Sequence, residues 1–331
     1  MTTSSLSMNG SSNIRAVTLG QLRTFLAVAQ AGSIRGAAAA LYVSEPSVSA
    51  TIAALGRELG APLTERVGRG IRLTEAGREL AAYAARILGL ADRARRAVRE
   101  AAGAPGHLRV AAVTTAGEYV LPRLVAAFLA RRPGTEVSIE VGNRAETLAR
   151  LAAEEVDVAL AGRPPAAVGI RGEPFAPNLL VIVGPPGHPL AARRAFPPTL
   201  LSGETWLLRE PGSGTRENAL EFLAAGGIEP GRTMNIGSNG AIKRAVALGL
   251  GVTLISLDAV AEELAAGELV RLRARGTPLR RAWHALHRDG GPLPPSALAF
   301  LELLRSRRAR PAAARGSGPA GRDADRPPHR G

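Results

Sequence analysis

The chain has 331 residues, 46% of them hydrophobic, which is enough material for two or three domains with separate cores. It contains no Cys, which excludes disulfides, thiol nucleophiles and Cys-ligated metal sites, and no apolar run approaches the ~18–20 residues of a membrane span. The net charge of +14 is concentrated at the ends: residues 1–77 carry seven Arg against four acidic residues, and residues 305–331 carry eight against two. A basic N-terminal module suits a polyanion such as DNA, although 41 Arg beside one Lys also indicate a coding bias that inflates the basicity.

Both ends of the chain are expected to be disordered tails. Residues 1–17 begin with a Ser/Thr/Asn-rich stretch that lacks the positive charge and the apolar region of a signal peptide. Together with the missing Cys, this favours a cytoplasmic protein that does not contact a membrane. Residues 305–331 are rich in Arg, Pro, Ala and Gly without periodicity, which predicts a disordered basic tail.

Two helices are predicted after the first tail. Apolar residues at i, i+3, i+4 and i+7 predict an amphipathic helix over residues 19–30. Ser33 is the expected N-cap of a second, short helix over residues 34–41.

A third helix and a small sheet complete this module. Ser44 is the expected N-cap, Pro46 fits the first turn, and Gly60 ends the helix. Residues 63–73 contain two Gly between apolar ends and three regularly spaced Arg, which predicts a two-stranded wing. Residues 18–77 therefore predict an all-α winged helix-turn-helix. The alternative is a helical adaptor domain without a nucleic-acid partner.

The stretch from Phe25 to Gly77, FLAVAQAGSIRGAAAALYVSEPSVSATIAALGRELGAPLTERVGRGIRLTEAG, resembles the DNA-binding domain of the LysR family of transcriptional regulators. The resemblance implies that the third helix enters the major groove and that the wing contacts phosphates or the minor groove. Glu45 departs from the Gln of many members, and an acid can accept from cytosine N4 but cannot bond adenine bidentately. Arg57 is the only basic residue of the third helix, so phosphate affinity is expected mainly from other Arg residues.

The expected DNA-binding residues are exposed positions on these helices and the wing. Each Arg among them has the alternative of being a solvated surface charge. The set is Arg23, Arg35, Ser44, Glu45, Ser47, Ser49, Ala50, Thr51, Arg66, Arg69 and Arg72.

Residues 78–106 predict a linker helix that ends in a Gly/Pro-rich hinge. Its apolar residues alternate steps of three and four, which is a heptad seam. The seam consists of Leu80, Tyr83, Ile87, Leu90, Ala94, Ala97 and Ala101. A lone amphipathic helix is marginal in water, so the seam implies a packing partner, either the C-terminal half of the same chain or a second copy. The family resemblance favours a homodimer, which assembles further into a tetramer.

Residues 107–304 alternate predicted strands and helices, which is typical of an α/β domain with mostly parallel sheets. The predicted strands cover 108–113, 136–141, 156–161, 179–183, 205–208 and 252–256, and the predicted helices 119–131, 145–153, 215–225, 241–248 and 297–304. The length of this region predicts two subdomains with a cleft between them, as in type 2 periplasmic binding proteins. Subdomain I is expected over 107–180 and 281–304, and subdomain II over 181–280.

Ligands of such folds sit at the carboxyl ends of strands, near helix N-termini. The residues at those ends combine hydroxyls, Gly and Arg, which predicts a cleft that binds a small anion. The candidate effector-binding residues are Thr114, Thr115, Gly162, Arg163, Arg209, Ser213, Gly214, Thr215, Arg216 and Asn239. Taken singly, a Gly-Ser-Gly-Thr turn is also a common helix start, and the Arg residues could be surface charges.

This half of the chain also resembles the LysR-type regulators of Calvin-cycle carbon-fixation operons. The matching stretches include VTTAGEYVLPRL, VGNRAETLARLAAEEVDVALAGRPP, REPGSGTRENALEFLAAGGIE, SNGAIKRAVALGLGVTLIS and ELAAGELVRL. The resemblance implies an effector that is a phosphorylated sugar, a related anion or NADPH.

The sequence does not predict an enzyme, a bound cofactor or a metal site. It has no Gly-x-Ser-x-Gly elbow, no phosphate-binding Gly-x4-Gly-Lys loop and no His-Glu-x-x-His motif. His284 and His287 would form a metal pair only on a helix, and their segment predicts a strand. The alternative is an α/β small-molecule-binding protein or enzyme with an accessory helical domain, which leaves residues 19–101 unexplained.

Overall fold

The structure is a computed structural model that describes residues 17–68, 70–166, 169–289 and 291–308. It begins with a winged helix-turn-helix. Its elements are α1 (Leu19–Ala31), α2 (Ile34–Leu41), α3 (Glu45–Leu59), β1 (Thr64–Val67) and β2 (Gly70–Leu73). The predicted helix bounds differ from these by no more than one residue.

Side-chain caps define where these helices begin and end. The hydroxyls of Ser33 and Ser44 each accept a hydrogen bond from the backbone N–H three residues later. Gly32 and Gly60 end α1 and α3 in the left-handed conformation. The helices enclose a core that includes the fully buried Phe25. Val17, expected in the tail, also packs against this core.

The linker helix, α4 (Glu75–Ala101), starts directly behind the wing. The hydroxyl of Thr74 caps it by accepting from the Gly77 N–H at 3.0 Å. A Cβ at Gly77 would lie 2.0 Å from the carbonyl oxygen of Leu63, so only glycine allows the helix this close to the wing. The N-terminal half of α4 packs on the winged module through Ala84, while its C-terminal half reaches the next domain.

The rest of the described chain is an α/β domain. Its elements are β3 (His107–Val113), α5 (Thr114–Tyr119), α6 (Leu121–Leu129), β4 (Glu136–Gly142), α7 (Arg144–Ala152), β5 (Val158–Ala161), β6 (Ile170–Gly184), β7 (Thr205–Leu208), α8 (Gly214–Ala225), β8 (Arg232–Asn235), α9 (Asn239–Ala247), β9 (Thr253–Ser256), α10 (Leu257–Ala266), β10 (Val270–Leu272), β11 (Leu279–Arg288) and α11 (Pro295–Arg308). A 3-10 helix, Pro198–Leu201, precedes β7.

The large sheet is mixed, so the prediction of mostly parallel sheets was wrong for it, whereas the small sheet of β7 and β8 is parallel. The large sheet has the order β10-β6-β11-β5-β3-β4, with β9 also paired to β6. Strand β3 pairs in parallel with β4 and β5, whereas β6 pairs antiparallel with β9, β10 and β11, and β11 with β5. Only part of β6 was predicted, because Gly172, Pro174 and Pro177 interrupt its strand pattern.

Among the described residues of this domain, the two largest of four hydrophobic clusters define two subdomains, and β6 and β11 contribute to both. Strand β6 contributes Phe175 to the first core and Leu180 to the second. Strand β11 contributes Trp283 to the first and Leu279 to the second. The predicted two-subdomain architecture is confirmed, and these two antiparallel strands connect its halves.

The last helix continues beyond its predicted end. Residues 305–308 were assigned to the disordered tail, but α11 runs to Arg308. Arg305 forms an ion pair with Glu173 of β6, with Nε–Oε2 and Nη2–Oε1 distances of 2.6 and 2.7 Å. The remainder of the predicted tail, like residues 1–16, lies outside the described residues.

Within the described ranges, no single helix is long and apolar enough to cross a membrane. Helices α2 and α3 meet that criterion only when taken together, across a bend of 109°. In the same ranges, no cluster of three His, Asp or Glu side chains could hold a metal ion. His284 and His287 lie on strand β11, as predicted, and three residues along a strand places them on opposite faces.

Candidate functional site

An open groove of about 1000 Å3 runs between α3 and the wing. Four of the predicted DNA-binding residues line it: Arg35, Glu45, Ser49 and Arg66. Arg57, the only basic residue of α3, lines it as well. Glu45, Ser49 and Ala53 are spaced four residues apart and therefore lie on one face of α3. This exposed face lines the groove.

The other predicted DNA-binding residues that the structure describes do not line the groove. Ser44 caps α3, and the Thr51 hydroxyl donates to the Ser47 carbonyl at 2.8 Å, so both hydroxyls have local partners. Ser47 and Ala50 are exposed on α3, as is Arg23 on α1. Arg72 pairs across the wing with Glu65 at 2.9 Å. Arg69 lies outside the described residues.

An apolar stripe on α4 is not covered by any of the residues that the structure describes. Tyr83, Ile87, Leu90 and Val98 are between 44% and 69% exposed, and Ala94 lies between them. We call these five residues the linker stripe. The linker stripe differs from the predicted seam at both ends. Leu80 belongs to the seam but packs on the winged module. Near the other end, Val98 is exposed and belongs to the stripe, whereas Ala97 of the seam is half-buried.

The C-terminal half of α4 packs on subdomain I through buried ion pairs. The guanidinium of Arg96 donates to both carboxylate oxygens of Asp157, at 2.8 and 3.0 Å. Arg93 lies 2.8 Å from Glu154, with both side chains less than 10% exposed. One face of α4 therefore packs on its own chain, as the first alternative for the linker expected, and the linker stripe makes no such contact with a described residue.

A cavity of about 460 Å3 lies between the two subdomains, where β3 and β5 end and α8 begins. We call it the cleft. Eight of the ten predicted effector-binding residues line it: Thr114, Thr115, Gly162, Arg163, Arg209, Ser213, Gly214 and Thr215.

Arg216 and Asn239 do not line the cleft. The guanidinium of Arg216 donates to the Arg209 carbonyl at 2.8 Å and to the side chain of Asn235. Asn239 is fully buried behind the cleft wall. Both residues follow a strand end, but their side chains point at neighbouring protein groups.

The cleft also contains polar and aromatic residues that the sequence reading missed. They are Asn143, Arg144, Asn178, Glu217, Asn218, Glu221, Arg281 and Trp283. Asn143 and Arg144 directly follow β4, so they could have been predicted as residues at a strand end, as Thr114 and Thr115 after β3 were. Asn178 and Trp283 lie on β6 and β11, whose pairing could not be read from local pattern.

The Arg residues of the cleft differ in how far their charge is already paired. Arg209 is 3% exposed, and its Nε and Nη2 donate to Glu210 at 2.7 and 2.9 Å. Arg281 lies 3.3 Å from Glu221. Arg144 lies 4.0 Å from Glu217, and Arg163 is exposed with no ion pair to a described residue. Arg144 and Arg163 are thus the cations most available to a bound anion.

Two hydroxyls in the cleft are available to a ligand. Ser213 precedes α8 and is 5% exposed, and its side chain forms no capping hydrogen bond. Thr115 is 3% exposed and accepts a hydrogen bond from Asn239. Thr114 differs, because its hydroxyl donates to the Gly142 carbonyl at 3.1 Å. The first N–H groups of α8 have no carbonyl partner within the helix and add donors beside Ser213.

His284 lies on β11 behind the cleft. Burial lowers its pKa, and the positive charge of Arg144 lowers it further. We therefore expect a neutral imidazole there at neutral pH.

A winged helix-turn-helix joined by a long helix to a two-subdomain cleft defines a ligand-responsive DNA-binding transcriptional regulator. Residues 19–78 match the bacterial regulatory helix-turn-helix protein, lysR family, and residues 101–309 match the LysR substrate binding domain. The chain belongs to the LysR family of transcriptional regulators, and it is not an enzyme.

Similar proteins agree with both resemblances drawn from the sequence. The RuBisCO operon transcriptional regulator of Allochromatium vinosum is 40% identical over 296 residues, which cover 89% of this chain and 97% of that one. The regulatory domain of Synechocystis CcmR in complex with 2-PG is 34% identical, covers 60% of this chain and 96% of that one, and has a TM-score of 0.58. Full-length CbnR complexed with its target DNA is 27% identical. The match covers 88% of this chain and 100% of that one, with a TM-score of 0.63.

Proposed function

We propose that this regulator acts in the cytoplasm as a dimer, which pairs into a tetramer, and that a small anionic metabolite in the cleft modulates its binding to duplex DNA. The observation that carries the proposal is the donor set at the start of α8, where the free hydroxyl of Ser213 and backbone N–H groups lie in one cavity with Arg144 and Arg163. Such a set stabilises a phosphate or carboxylate.

The similar proteins support the same class of ligand and target. CcmR of Synechocystis holds 2-PG, a phosphorylated acid, in its regulatory domain. The relatives from Allochromatium vinosum and Acidithiobacillus ferrooxidans are RuBisCO operon regulators. We infer that this chain regulates a carbon-fixation operon and responds to a phosphorylated metabolite or NADPH.

The effector proposal is tested by calorimetry on the full chain with 2-PG, a sugar monophosphate, NADPH and a neutral sugar. We expect the anions to bind and the Ser213→Ala variant to lose about 10-fold or more in affinity, because a hydrogen bond to a charged group contributes roughly 1.5–3 kcal/mol. Ser33→Ala, the same change at the N-cap of α2 in the winged module, is the matched control. Stronger binding of the neutral sugar, or equal affinity of Ser213→Ala and wild type, would contradict the proposal.

The DNA interface is tested with Arg66→Ala, since Arg66 lies exposed on the wing at the edge of the groove. We expect weaker binding to every duplex, and a slope of log K against log salt that is shallower by about 0.9, the effect of one lost phosphate contact. Arg123→Ala, an exposed Arg on α6, should leave the slope unchanged. An unchanged slope for Arg66→Ala would remove the wing from the interface.

A further inference from the structure

Asn239 connects the two subdomains directly behind the cleft wall. It is fully buried at the start of α9 in subdomain II. Its Nδ2 lies 3.0 Å from Glu118 Oε2 and 3.3 Å from Thr115 Oγ1, both on α5 of subdomain I. Its Oδ1 lies 2.6 Å from Nη1 of Arg209 in subdomain II.

The chemistry of these partners determines which way the amide faces. A guanidinium only donates hydrogen bonds, and an ionised carboxylate only accepts them. The Asn239 Oδ1 must therefore face Arg209, and Nδ2 must face Glu118. The second hydrogen of Nδ2 is then directed at Thr115, so the Thr115 hydroxyl acts as the acceptor in that contact.

A threonine hydroxyl has one hydrogen, and the contact with Asn239 leaves it unused. Thr115 lines the cleft, and its side chain forms no other hydrogen bond with a described residue. Its hydrogen is therefore free to be donated to a ligand. The hydrogen bonds all point the same way from the buried Arg209 through Asn239 to Thr115, and a chain of this kind strengthens its final donor.

We propose that Asn239 is a positioning residue that holds Thr115 as a hydrogen-bond donor and so makes the cleft select ligand groups that only accept, such as phosphate and carboxylate. The assignment rests on the proposed function, because it concerns the same cleft. It explains how a buried residue that never touches the ligand contributes to its selection.

A second contact holds α5 and α9 in register independently of Asn239. Lys243, one turn further along α9, lies 5.1 Å from the ring centroid of Tyr119 and 2.5 Å from Glu263 Oε1. Burial disfavours the ammonium, but the hydrogen bonds to Glu263 and Tyr119 outweigh it and raise the pKa of Lys243. This charged contact does not involve Asn239, so we expect it to keep the two helices in place when Asn239 is replaced.

The test exchanges the amide and the carboxylate in the full-length protein, combining Glu118→Gln with Asn239→Asp. The exchange leaves the net charge unchanged, keeps an acceptor for Arg209 and lets the new amide at 118 donate to the new carboxylate at 239. Both contacts of the Asn239 amide nitrogen reverse direction, but the one with residue 118 is made again with donor and acceptor exchanged. The Thr115 hydroxyl must now donate to position 239, so its hydrogen is no longer free for a ligand. We expect thermal stability close to wild type. The affinity for 2-PG should fall by at least about 10-fold, which is also the loss expected for Thr115→Val.

Adding Thr115→Val to the exchange distinguishes positioning from a structural effect. If Asn239 acts through Thr115, this addition should lower the affinity little further, whereas Thr115→Val alone lowers it about 10-fold in wild type. Wild-type affinity in the exchange variant, or an equal loss from Thr115→Val in both backgrounds, would overturn the proposal. Asn239→Ala carries the same comparison if the exchange variant does not fold. Failure of wild type to bind any anion would instead contradict the proposed function.

Discussion

The Ile87→Asp variant should be a monomer at micromolar concentration, where the wild type is a dimer or a larger assembly. Ile87 lies in the middle of the linker stripe, five residues with exposed side chains along one face of α4. Pairing of two stripes would bury it, and a carboxylate buried there without a partner costs several kcal/mol. Light scattering measures the assembly directly.

The same substitution should lower the affinity for an operator with two half-sites by about 100-fold or more, since linking two binding modules raises avidity by roughly 10²–10⁴. Ala82→Asp, which places the same charge at an exposed position of α4 outside the stripe, should leave both assembly and operator affinity unchanged. A wild-type protein that is itself monomeric at micromolar concentration would refute the assignment of the stripe.

Replacing Asp157 with Ala should lower the free energy of unfolding by about 3–5 kcal/mol, as expected when one partner of a buried ion pair is removed. The Asp157 side chain is 1% exposed, and it accepts two hydrogen bonds from Arg96 of α4 and one from the Arg109 N–H of β3. The variant removes the buried one of the two carboxylates that pair with Arg96, which is 13% exposed and keeps only the more exposed Asp92. It also leaves the Arg109 N–H without its acceptor.

Denaturant unfolding of the full chain measures this loss, and the exposed pair on the same helix is the control. Arg95 lies 2.7 Å from Asp92 but is 72% exposed, so Arg95→Ala should cost less than about 1 kcal/mol. Equal losses for the two variants would mean that α4 does not depend on subdomain I for its position. Gly89 also indicates that the position of α4 depends on subdomain I. A Cβ at Gly89 would lie 2.6 Å from the Ala153 carbonyl oxygen, so the helix approaches this subdomain closely.

The winged module could be predicted almost residue by residue because its signals are local. A hydroxyl at an N-cap needs only the N–H three residues ahead, and a left-handed Gly needs only its own backbone. Ser33, Ser44 and Gly60 therefore act in the structure where the sequence predicts them. Thr115 and Ser213 were found in the same way, because a strand followed by a helix start is also a local pattern.

The long-range features could not be predicted, because they depend on residues far apart in the chain. Asn178 of β6 and Trp283 of β11 both line the cleft because these two strands pair, although they are far apart in the sequence. Asn239 reaches Thr115 across 124 positions, and this placed it behind the wall rather than in the cleft. Whether a polar side chain faces a ligand or another side chain is decided by what the fold brings next to it, and sequence periodicity does not contain that information.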